Sequence, residues 1–133
     1  MTKVKINSNA IDIIYHKTHE ISEIIYPEKC DLIITMNATN SLLRSIADKN
    51  SQVYFVSTAS NPKRFVGNAQ PVLSTHYKVY RTPTRVIFST ANASLSSFDE
   101  LSFVFNRTSE LDQFIKLLIM NLKKVDRFIR AFY

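Results

Sequence analysis

CDLIITMNATNSLLRSIADKNSQVYFVS, residues 30–57, is the stretch that decides the fold class. It opens on an apolar run, 30–36, of strand length and without polar alternation, as a strand buried on both faces requires. Residues 40–47 then switch to helical spacing, with Asn40 the expected N-cap. A second apolar run of strand length follows at 52–57. Strand, helix, strand in this order predicts a βαβ unit and therefore an α/β protein, a mixed β-sheet flanked by helices.

Upstream, residues 11–25 read as a helix, or as a strand followed by a helix, that stops before Pro27. Downstream, 58–70 reads as a loop with Asn61-Pro62 as its turn and Lys63-Arg64 at its exposed part. Residues 72–80 and 85–89 are expected to form two strands joined by Arg81-Thr82-Pro83-Thr84, and 100–105 a further strand. The chain then carries a helical stripe of Leu111, Ile115, Leu118, Leu122, Val125 and Ile129, widened by Phe114, Ile119 and Phe128. Thr108 or Ser109 suits its start. Glu110 and Asp112 fall at its positive end, and Lys123, Lys124, Arg127 and Arg130 at its negative end.

Composition sets the outer bounds. A chain of 133 residues with 45% hydrophobic content is expected to form one domain, 1–133, with its own core. One cysteine, Cys30, excludes an internal disulfide framework, and one glycine, Gly67, excludes glycine-rich phosphate cradles. No apolar stretch approaches the ~20 residues of a membrane span, and no secretory signal is visible. The expectation is a cytoplasmic protein without a membrane partner.

Charge is unevenly placed. Residues 1–48 hold five basic and six acidic side chains, and residues 99–133 hold six and five. Between them, Lys49, Lys63, Arg64, Lys78, Arg81 and Arg85 meet no acid at all, so the whole net charge of +6 lies in the middle fifty residues. An acid-free basic window rich in Ser, Thr and Asn points to a polyanion, and Lys63, Arg64, Arg81 and Arg85 are the expected nucleic-acid contacts.

The three histidines can be weighed one by one. His16 and His19, with Glu20 and Glu23, stand at helical spacing but lack a third ligand in a recognisable pattern, so a solvated helix face is the better reading and no metal site is predicted. His76 differs. In a strand it would share a face with Lys78, and an imidazole beside an ammonium is poor core material. The pair suits a phosphate instead: imidazole can attack phosphorus or move a proton, and lysine neutralises the oxygens. The hairpin brings Thr90 and Asn92 to the same end, and Glu100, opening the next strand, supplies a carboxylate able to orient an imidazole.

The ordered set His76, Lys78, Asn92 and Glu100 within residues 76–105, HYKVYRTPTRVIFSTANASLSSFDELSFVF, resembles the phospholipase D superfamily. That signature is His-any-Lys, an Asp, Gly-Ser-any-Asn, then a Glu opening a strand. Here no acid stands near Pro83, the span from Lys78 to Asn92 is one residue short, and Ser89-Thr90 replaces Gly-Ser. The resemblance implies a phospholipase D-like fold and a single-motif, homodimeric nuclease that needs no cofactor. In such an enzyme one His76 attacks phosphorus and forms a phosphohistidine, while the other protonates the leaving oxygen. Lys78, Asn92 and Thr90 would serve the phosphoryl group, and Glu100 would orient the imidazole. DNA is favoured over RNA, and Tyr77, Val79 and Phe88 are the expected interface around a shared active site. The alternatives are an inactive nucleic-acid-binding module of the same fold and a phospholipase.

Overall fold

The computed structural model describes residues 1–6, 11–58, 61–64, 66–127 and 129–130. The decisive stretch forms β3 (Cys30–Ala38), α2 (Asn40–Ile46) and β4 (Ala47–Thr58), and β3 and β4 pair in parallel, as the βαβ reading requires. Ahead of it lie β1 (Thr2–Ile6), β2 (Ile11–Lys17), a 3₁₀ turn (Thr18–Glu20) and α1 (Ile21–Ile25), so the strand-then-helix alternative holds for 11–25. After it come β5 (Asn68–Pro71), β6 (Lys78–Arg81), β7 (Arg85–Ser89), β8 (Asp99–Asn106), α3 (Ser109–Met120) and the two-residue β9 (Ile129–Arg130).

These strands build one mixed sheet in the order β1-β2-β8-β7-β6-β3-β4-β5, with β9 pairing the end of β4. Helices cover both faces. On one, Ile21, Ile24 and Ile25 of α1 and Leu42, Leu43 and Ile46 of α2 join Ile33, Phe55, Tyr80, Ile87 and Val104 in the larger core. On the other, Ile115 of α3 packs with Leu32, Ile34, Val79 and Val86. Ile33 and Ile34, consecutive residues of β3, are each fully buried against opposite layers, which explains why this central strand reads as a continuous apolar run.

Two expectations are corrected here. Residues 72–80 do not form one strand. β5 ends at Pro71, Val72 makes an isolated bridge to Lys124, and only from Lys78 does the chain rejoin the sheet. The closing helix stops at Met120 rather than running to 129, with the Asn121 amide donating to the Leu117 carbonyl at 2.9 Å. Beyond it, Leu73 N–H donates to the Lys123 carbonyl and Val125 N–H to the Pro71 carbonyl, at 2.8 and 3.1 Å. Unpaired backbone at the end of β5 claims this segment, and those bonds outweigh the local helical periodicity. Thr108 does cap α3, its hydroxyl accepting from Leu111 N–H. Phe128 lies outside the described residues.

Candidate active site

Antiparallel pairing brings the predicted residues to one end of the sheet. Lys78 at the start of β6 pairs with Ser89 at the end of β7, and Ser89 pairs with Ser102 of β8. Thr90 and Asn92 follow Ser89 directly, and Glu100 lies two residues before Ser102. The carboxyl ends of the parallel strands β3 and β4 finish at this end too, because β6 runs antiparallel to β3.

Lys78 is 8% exposed. Desolvation holds its ammonium below the usual lysine range, and the Glu100 charge offsets this only in part. Glu100 is anchored through both oxygens, accepting from Thr18 Oγ1 at 2.8 Å and from Thr90 Oγ1 at 3.1 Å. Asn92 Oδ1 accepts from the backbone N–H of Asn37 at 3.0 Å, and since only an oxygen can accept there, the amide orientation is set. Its Nδ2 is thereby the group left to donate.

The residues around Asn92 are pinned at nearly every polar group. Tyr80 hydroxyl donates to the Ala91 carbonyl at 2.6 Å, and burial pushes that phenol well above its ordinary range. Ala91 N–H donates to Ser89 Oγ at 2.9 Å, Ala93 N–H to Thr35 Oγ1 at 3.1 Å, and Thr39 N–H to the Ala93 carbonyl at 2.9 Å. Ser57 Oγ in turn donates to Asn37 Oδ1. Donors and dipoles held this way need little reorganisation when charge develops near them.

His76 is exposed and stands two residues ahead of β6, in chain that joins no ladder, so strand alternation does not set its direction as expected. Among the described residues it has no hydrogen-bond partner, and the Glu100 oxygens face Thr18 and Thr90 instead of an imidazole. His16 and His19 do not share a helix face. His16 lies in β2, 3% exposed, with Nδ1 donating to the Lys17 carbonyl at 2.7 Å and Nε2 hydrogen-bonded to Ser102 Oγ at 2.7 Å. Ser102 sits 2.7 Å from Ser89 Oγ, so a buried polar chain runs from His16 to the residue beside Thr90. Sequence reasoning missed His16, Ser102, Thr35 and Asn37. They lie 13 to 86 residues from the partners they serve, and no local spacing marks them. No group of three His, Cys, Asp or Glu side chains fit to hold a metal occurs among the described residues.

The predicted basic contacts separate. Arg81 and Arg85 are at the opposite end of the hairpin and are engaged internally. Arg81 meets Asp31 at 2.8 Å and Asp112 at 3.4 Å; Arg85 meets Glu28 at 3.1 Å and donates to the Ile24 and Ile25 carbonyls at 2.6 Å each. Lys63 is exposed beside a pocket shared with Arg127; Arg64 follows it in a 3₁₀ turn, Pro62–Arg64. Of the expected interface residues, Val79 is fully buried and Phe88 packs edge-on against Phe105 and Phe114, which leaves only Tyr77, 41% exposed, available to a partner.

No protein-family model matches the sequence, and no curated protein does. Among solved structures, TrmBL2, an archaeal chromatin protein described as showing a novel mode of DNA binding, is similar with a TM-score of 0.49 at 8% identity. The similarity covers 92% of this chain and 56% of that one, so the chain spans about half the length of that structure.

Proposed function

We propose that this chain cleaves nucleic-acid phosphodiester bonds, DNA being the favoured polymer, as a phospholipase D-like nuclease in the cytoplasm that works without a metal. The observation that carries the reading is the convergence of Lys78, Thr90, Asn92 and Glu100 at one sheet end, with the Asn92 amide locked so that Nδ2 is its remaining donor. A lysine made reluctant to hold its charge gains most from an anion, and a phosphoryl group supplies one. Each chain contributes one suitable histidine, so the unit is a homodimer with its active site shared across the two-fold axis.

In that unit the neutral His76 of one protomer attacks phosphorus. The P–N bond forms as the bond to the leaving oxygen breaks, and the second protomer's imidazolium gives that oxygen its proton. The second imidazole, now neutral, takes a proton from water, whose oxygen forms the new P–O bond as the P–N bond breaks. Lys78 and Asn92 Nδ2 stabilise the phosphoryl oxygens throughout.

Plasmid DNA and RNA incubated with the protein in EDTA, beside His76→Ala, test the reading. Cleavage in EDTA that is absent from His76→Ala, and that falls as excess His76→Ala chain is exchanged in, is the expected result. Activity that stops in EDTA and returns with magnesium or zinc would overturn it. One observation favours a binding module instead: His76 lacks an orienting partner among the described residues. Salt-sensitive binding without turnover in the same assay selects that reading.

A further inference from the structure

We infer that the polyanion runs along a track made by two sequence-remote groups, Lys63 with Arg127 and Lys123 with Lys124, leading to His76; the identity of the polyanion as a nucleic-acid strand rests on the function proposed above. Residue pairing lays out the path. Ile34 pairs with Val79 in antiparallel sense, so Thr35 and Lys78, the next residues along, stand level. Thr35 pairs with Phe55, and Phe55 with Pro71. Lys78, Thr35, Phe55 and Pro71 thus form one row across β6, β3, β4 and β5; the row is buried and sets only the separation of its two ends, and the polyanion passes over the exposed Leu73, Ser74 and His76.

Phe55 and Pro71, at the far end of that row, line one pocket with Asn61, Lys63, Asp126 and Arg127. Immediately beyond Pro71, Val72 bridges Lys124 and Leu73 N–H bonds the Lys123 carbonyl, so both lysines flank the chain that leads to His76. Lys63, Lys123, Lys124 and Arg127 are all exposed, and every ion pair among the described residues lies elsewhere. Asp126 is the one carboxylate among the described residues lining the pocket, leaving three net positive charges across these groups.

Three strand spacings of about 4.8 Å make the row roughly 14 Å long. Cations at one end and Lys78 at the other therefore match a short run of a nucleic-acid backbone. Leu73 and Ile129 are exposed beside these cations, so the vesicle arm of the test is what separates a nucleic-acid backbone from a lipid surface.

The test uses His76→Ala chain, to prevent turnover, and a labelled single-stranded oligonucleotide of about twelve nucleotides. Affinity is measured across a range of salt, with thermal melting of every variant as a fold control. Removing two phosphate contacts should lower the slope of log affinity against log salt by about 1.4 for a single strand. K63Q/R127Q and K123Q/K124Q are each expected to do so, while K49Q/K116Q, which removes the same charge away from the row, leaves the slope unchanged. Unchanged slopes in the first two variants would overturn the track, as would an equal loss in K49Q/K116Q. Loss of binding to phosphatidylserine vesicles in place of oligonucleotide binding would overturn it as well. If the slopes fall as expected while unsubstituted chain cleaves nothing, the track stands and the nuclease reading fails. If cleavage proceeds with unaltered slopes, the reverse holds.

Discussion

The two ends of the sheet treat their cations in opposite ways. At one, Arg81 and Arg107 share Asp31 and Asp112, and Arg85 lies against Glu28, with the hydroxyls of Thr82 and Thr84 bonding the same carboxylate. At the other, Lys78 is nearly buried with only the distant charge of Glu100 to offset it, and Lys63, Lys123, Lys124 and Arg127 stay exposed and unpaired among the described residues. Three arginines tie distant elements together, whereas the four surface cations join no ion pair among the described residues. Net charge alone does not make this distinction. Arg81 and Arg85 belong to the same acid-free window as Lys63 and Lys78, yet their carboxylates arrive from residues 28, 31 and 112.

That contrast can be broken or sharpened at three positions. The largest effect is expected at Asn92. Asn92→Ala removes one preorganised phosphoryl donor and should lower the cleavage rate by about 10²–10³, with a few degrees lost from the melting temperature because the Asn37 N–H loses its acceptor. Single-turnover cleavage with a parallel melt reads both, and a rate within a factor of a few of the parent would remove Asn92 from the site.

Arg85 comes next, and there the effect is on stability. Arg85→Ala leaves the Ile24 and Ile25 carbonyls and the Glu28 carboxylate short of a donor, which should cost about 2–3 kcal/mol in urea unfolding. Its loss is also pH-dependent. Burial alone raises the Glu28 carboxyl, but Thr84, Thr82 and Arg85 more than reverse this, so it titrates below the ordinary value of 4.5. A carboxyl lowered by folding contributes stability that is full above its unfolded value and lost as pH falls through its folded one. Stability of the parent chain should therefore drop below about pH 4.5, and less steeply in Arg85→Ala. Equal acid sensitivity in the two would break the structural assignment of this end.

The smallest effect is at Lys78, with the opposite sign. Its folded value lies below the ordinary 10.5, so the unfolded chain binds more protons between the two values and stability rises with pH through that window. Lys78→Met removes the desolvated charge while keeping the side-chain length. It should raise the melting temperature by a few degrees and remove that alkaline rise. A Lys78→Met chain that melts lower than the parent would mean the ammonium stabilises the fold, contrary to its reading as a ligand-binding charge.

Several parts of this protein could be read before any coordinates, each because a local pattern has a direct physical cause. The runs at 30–36 and 52–57 with helical spacing between them imply a parallel pair buried on both faces, and β3, α2 and β4 are that unit. Thr108 or Ser109 before an apolar stripe predicted a helix start, and of the two the Thr108 hydroxyl caps α3. The two strands joined by Arg81-Thr82-Pro83-Thr84 placed Thr90 and Asn92 at the Lys78 end, because a hairpin returns its second strand to the level of the first.

Other features required partners far along the chain. The stripe beyond Met120 had helical period, but β5 left backbone groups unpaired, and bonds to Pro71 and Leu73 drew residues 123–125 away from the helix. Orientation of Asn92 depends on Asn37, anchoring of Glu100 on Thr18, and the burial of His16 on Ser102, none of which has a spacing rule. Which cations are spent internally depends likewise on where distant carboxylates arrive. Periodicity records only what a residue's own element requires. Charge pairing and side-chain direction are settled by whichever remote group comes within three ångströms, and only the tertiary structure decides that.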